Sequence, residues 1–137
     1  MKLKIFHLAL LAAAAASMLS ACKKEDKCTA GTGGSVTFVV YPQHHGMPIP
    51  NQDNYRDTVM VKFNTQEFPG ASPSVYDLVV AGDSAEDHVH IPGLTCGDYY
   101  IYAVGFDTTQ NKRVTGGMPF STSSTSGEVI VYVPVTE

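Results

Sequence analysis

The sequence predicts an all-β protein, an antiparallel β-sandwich of seven strands. Three observations carry that expectation. Short apolar runs alternate with period two, clusters of Gly, Pro, Asn and Ser separate them, and beyond residue 22 no stretch shows the 3.6-residue period of an amphipathic helix. "SVTFVVY" places Val36, Phe38 and Val40 on one face, and "TVMVKF" does the same with Val59, Val61 and Phe63. "VYDLVV" offers Tyr76, Leu78 and Val80. In "HVHI", Val89 and Ile91 share one face, so His88 and His90 share the other. Residues 98–106, "DYYIYAVGF", are apolar on both faces, as befits a strand inside a sheet. Residues 112–120 form a weaker strand interrupted at Gly116-Gly117. The last strand turns Val129, Val131, Val133 and Val135 inward, with Glu128, Tyr132 and Thr136 outward or at the edges. Two loops are long for so small a sandwich: Pro42 to Asp57, with three prolines, and Asn64 to Ser74, with two.

The first residues are of another kind. Lys2 and Lys4 precede an apolar, alanine-rich run from Ile5 to Leu19, shorter than the roughly 20 residues a spanning helix needs. A charged start, an apolar middle and small residues at the end describe a cleaved signal peptide. The four residues Leu19-Ser20-Ala21-Cys22 resemble the lipobox of bacterial lipoproteins, in which cleavage precedes the cysteine and acyl chains are attached to it. The resemblance implies residues 1–21 as a removed signal peptide, Cys22 as the lipidated residue, 22–34 as a polar tether and 35–137 as the sandwich domain. Each buried methylene of such an anchor contributes about 0.8 kcal/mol. Lys23 follows Cys22 where an aspartate would resemble an inner-membrane retention signal. The expected address is therefore the bacterial outer membrane, facing the periplasm or the cell surface.

The chain has 9 basic and 13 acidic side chains, a net charge of −4. Loss of Lys2 and Lys4 with the signal peptide leaves seven basic against thirteen acidic, or −6. That balance argues against nucleic acid as a partner. With Cys22 carrying lipid, Cys28 and Cys96 remain, and outside the cytosol two such thiols suggest one disulfide. Closing so long a loop contributes roughly 4 kcal/mol on the chain-entropy account.

"GGSVTFVV", "GMPIPN", "VMVKF" and "HVHIPGLTCGDYYIYAVGFD" together resemble the carboxypeptidase regulatory-like, transthyretin-like sandwich, an immunoglobulin-like architecture. The likeness spans about residues 33–135. It departs from the family where "VAGDSAEDH" replaces the usual Thr-Asp-x-x-Gly turn. The resemblance implies a non-catalytic accessory module on a surface protein.

Beyond the expected cleavage point four histidines stand in two pairs, His44-His45 and His88-x-His90. A strand His-x-His sets two imidazoles on one face at a spacing an ion about 2.0–2.1 Å from each nitrogen can bridge. His44, His45 or Met47 would complete the set if the Pro42–Asp57 loop folds onto that strand, with Asp83, Glu86 and Asp87 as further ligands or acceptors. Imidazole with thioether suits copper, and imidazole with carboxylate suits zinc. The competing reading makes His88 and His90 the wet face of an edge strand. His-Val-His is similar to a strand of Cu/Zn superoxide dismutase, to the opening of a cupin motif and to the His-x-His of intradiol dioxygenases. The remaining ligands of each are missing from this chain. No nucleophile elbow, His-Glu-x-x-His or phosphate loop is present. The expectation is a membrane-anchored, non-enzymatic binding module with a protein or glycan partner. The alternative is a copper- or zinc-binding protein. Tyr41, Tyr55, Phe68 and Phe120 are the aromatic contacts such a partner would use.

Overall fold

The structure, a computed structural model, describes residues 28–137. The expected signal peptide, the acylated Cys22 and the first part of the tether lie outside the described residues. Strands β1 (Thr32–His44), β2 (Met47–Pro48), β3 (Thr58–Phe63), β4 (Leu78–Ala81), β5 (Val89–Leu94), β6 (Gly97–Asp107), β7 (Lys112–Thr122) and β8 (Ser126–Val135) follow one another. A 3-10 turn at Pro73–Val75 lies between β3 and β4. The described residues contain no α-helix.

Two sheets form the sandwich. In the first, β1 is central: β5 lies antiparallel on one edge and β8 lies parallel on the other. The two-residue β2 folds back on the end of β1, pairing His44 with Met47. The second sheet has the order β4-β3-β6-β7 and is antiparallel throughout. The expectation of seven antiparallel strands is corrected in two respects. The described residues hold eight strands, because His45 and Gly46, at φ 52° and 77°, make a two-residue turn of the kind that closes tight hairpins. The first sheet is also mixed, because β1 and β8 run in the same direction over Ser35 to His44.

Alternation fills the interior as expected. Val36, Phe38 and Val40 from β1, Val89 and Ile91 from β5, and Val131, Val133 and Val135 from β8 meet Val59 and Val61 from β3 and Tyr99, Ile101 and Ala103 from β6. Burying each such aliphatic or aromatic side chain contributes about 1.5–3 kcal/mol. Phe38 packs edge-on against Tyr99 at 5.1 Å and Phe120 at 5.3 Å, so Phe120 belongs to the rim of this core and not to a contact surface. Tyr76 does not join Leu78 and Val80. It follows the 3-10 turn, where the chain has not yet entered β4, and packs with Met60, Tyr100 and Tyr102 on the outer face of the second sheet. Burial, with the nearby tyrosines, pushes its hydroxyl up to about 12.

The disulfide between Cys28 and Cys96 is formed, and it ties the segment ahead of β1 to the turn between β5 and β6. Asn64 reinforces this end: its Nδ2 donates to the Ala30 carbonyl, and its Oδ1 accepts from the Ala30 N–H, at 3.1 Å each. β1 therefore begins at Thr32, ahead of the expected start of the sandwich at Ser35.

Candidate metal centre

β5 dictates the first step of the site. Val89 and Ile91 are fully buried, so the residues between and before them face away from the core. His90 is exposed and His88, one residue ahead of the strand, is half-buried. Their Nε2 atoms lie 2.8 Å apart. Glu86, in the turn ahead of β5, brings Oε2 to 3.7 Å from His88 Nε2 and 3.8 Å from His90 Nε2. All three ligand atoms fall within 4.8 Å of one another. A triangle with edges of 2.8, 3.7 and 3.8 Å has its equidistant point about 2.0 Å from each corner. That is the bond length zinc takes to imidazole nitrogen and carboxylate oxygen, roughly 2.0–2.2 Å.

The surroundings favour ligation. Asp87 Oδ1 sits 2.8 Å from His88 Nδ1 and fixes the tautomer in which Nδ1 carries the proton and Nε2 offers its lone pair. In the absence of an ion one Nε2–H donates to the other imidazole, so an arriving cation displaces that proton. Asn51 sets the backbone. It is buried, its Nδ2 donates to the His88 carbonyl at 3.1 Å, and its Oδ1 accepts from the Asp57 N–H at 2.7 Å. Tyr41, on the outer face of β1, lays its ring 5.0 Å from that of His88 and 5.4 Å from that of Tyr132. Burial, together with the nearby Asp87, Tyr132, Glu128 and Glu86, raises its pKa.

The other expected ligands stand elsewhere. The Pro42–Asp57 loop does fold onto the strand bearing His88, but through Asn51 and not through a histidine. His44 continues the inward parity of Val36, Phe38 and Val40, so it points to the opposite side of the first sheet from His88 and His90. It is buried, with Nδ1 2.7 Å from Asp107 Oδ2 at the end of β6. Asp107 also accepts from Thr109 and Gln110, and the hydrogen bond to His44 followed by those to Thr109 holds its carboxyl well below the usual range. The ring of His45 lies 4.1 Å from that of His44 at a tilt of 37°, and Met47 is 70% exposed. The structure thus does not bring His44, His45 and Met47 to His88 and His90. The carboxylate Glu86 takes the third place. Asp57 is a further titratable group that composition and spacing gave no reason to single out. It is fully buried, neither carboxylate oxygen has a hydrogen-bond partner, and burial raises its pKa to about 7.

No family model, curated protein or solved structure matches this chain. The functional reading therefore rests on the residues themselves.

Proposed function

We propose that this chain is a non-enzymatic binding module of the bacterial cell envelope that holds one divalent transition ion, zinc before copper, through Glu86, His88 and His90. The observation that carries the reading is the ligand triangle, whose equidistant point lies at a zinc bond length from all three atoms. Two imidazoles and a carboxylate, without a thioether, suit zinc or Cu(II) better than Cu(I). Three protein ligands leave a fourth position to water or to a donor on a partner. The envelope address rests on Leu19-Ser20-Ala21-Cys22, and a disulfide between Cys28 and Cys96 suits a compartment outside the cytosol. A lipid anchor at Cys22 would hold the domain at the outer membrane.

Isothermal titration of the chain from residue 22 onward, carrying Cys22→Ser so that no acyl group is attached, tests the site. One equivalent of Zn(II) is expected to bind and to be lost when His88→Ala and His90→Ala are combined. Asp87→Ala is expected to weaken binding about 10- to 100-fold by releasing the His88 tautomer. His44→Ala and His45→Ala should leave it unchanged. Absence of heat with Zn(II) and Cu(II), or binding that survives the double substitution, removes the proposal.

A further inference from the structure

On the outer face of the second sheet, away from the histidines, lie the only two arginines of the 137-residue chain, Arg56 and Arg113. The sheet register explains why they converge. Arg113 on β7 is the cross-strand partner of Phe106 on β6, and Thr58 on β3 is the partner of Val104. Arg56, just ahead of β3 and two residues before Thr58, reaches the same cleft as Phe106 and Arg113. The ring of Tyr55 stacks on Phe106 at 4.2 Å with the planes 13° apart. Both arginines, Tyr55, Phe106 and Val104 line one cleft of about 420 Å³. A second cleft of about 440 Å³ shares Val104 and Arg113 with it and runs on along the sheet past Thr58, Thr115 and Tyr102.

Two features of this groove call for a ligand. The chain is acidic, yet among the described residues every ion pair is made by lysine or histidine and none by Arg56 or Arg113. Both guanidiniums are exposed beside an apolar floor, where the planar fork is free to take a carboxylate in two parallel hydrogen bonds. The floor is aromatic and Tyr55 is itself exposed, which suits a ring with one apolar face. The hydroxyls of Thr58 and Thr115 along the extension suit a hydroxylated ligand longer than one ring. The negative net charge opposes a densely charged phosphodiester polymer. We infer that the outer face of the β4-β3-β6-β7 sheet binds an acidic saccharide, pairing its carboxylates with Arg56 and Arg113 and laying a sugar ring on Tyr55.

The test is titration of the chain from residue 22 onward, with Cys22→Ser, against short oligomers of galacturonate, glucuronate and mannuronate. Their neutral hexose counterparts and sodium sulfate serve as comparisons, all in chelator so that the metal centre plays no part. At least one uronate oligomer is expected to bind, more weakly as salt rises, with neutral oligomers and sulfate binding at least tenfold less tightly. Arg56→Gln and Arg113→Gln should each reduce affinity about tenfold or more, the loss expected for a charge-assisted hydrogen-bond pair. Tyr55→Ala should reduce it without changing the salt dependence. Circular dichroism that matches the parent shows that these surface variants are folded. The inference is overturned if no uronate binds, if neutral oligomers or sulfate bind as tightly, or if affinity survives both arginine substitutions.

Discussion

Replacing Asp57 by asparagine should abolish a pH dependence of stability that the native chain carries between pH 5 and 8. Asp57 is shut away from water between the Pro42–Asp57 loop and β6, with its Oδ1 packed against Gly105 so closely that a methyl group there would lie 2.4 Å from it. Neither carboxylate oxygen finds a donor, and burial alone lifts the pKa from 3.8 to about 7. The folded protein therefore binds this proton more tightly than the unfolded chain does. Its contribution is fully present below about pH 4 and falls as pH rises, levelling off above about pH 7. A shift of about three units corresponds to about 4 kcal/mol in total, of which about 2.5 kcal/mol is lost between pH 5 and pH 8. The assay is urea unfolding of the oxidised protein, native and Asp57→Asn, at half-unit steps across that range. Contributions from groups that the substitution leaves untouched cancel in the difference. The native protein should lose about 2.5 kcal/mol relative to the variant on going from pH 5 to pH 8, whatever constant offset the buried amide introduces. Parallel stability curves would refute the reasoning, for they would mean that the ionised carboxylate is solvated or paired.

Two further outcomes follow from contacts that hold the loops. Replacing Cys28 and Cys96 together by serine should lower stability by about 2–5 kcal/mol in urea unfolding, because the unfolded chain regains the freedom of a long closed loop. Asn51→Ala should cost about 1–3 kcal/mol through the unsatisfied Asp57 N–H, and it should weaken zinc in the titration described above by freeing the His88 carbonyl.

Much of this fold was legible residue by residue. The alternation of β8 dictated the face that is buried, the inward parity of Val36, Phe38 and Val40 did so for β1, and β6, apolar on both faces, is covered on both. Non-local pairing was not legible: nothing within "SVTFVVY" or "EVIVYVPV" says that the first and last strands lie side by side and parallel. β2 carries no period because it has only two residues, although the glycine of His45-Gly46 was a turn signal. At the metal centre the His88-x-His90 parity was readable, and so in principle was the failure of His44, since counting on from Val36, Phe38 and Val40 turns it inward. Choosing Glu86 over Asp83 or Asp87 needed the path of the turn. Asp57 and the arginine pair were invisible for the same reason, because each depends on what another strand sets beside it.

The parallel pairing of β1 and β8 has a mechanical side. Thr32 and Val135 stand at opposite ends of two strands joined over ten paired positions, so pulling the chain apart from those ends drags one strand lengthwise past the other. Every hydrogen bond of the ladder is then strained at once, where a peeling geometry would break them singly. Force arriving at Cys28 is also divided, one part entering β1 and the other passing through the sulfur bridge into the turn at Cys96. A domain built this way meets tension applied at those two ends with the whole β1–β8 ladder loaded in shear.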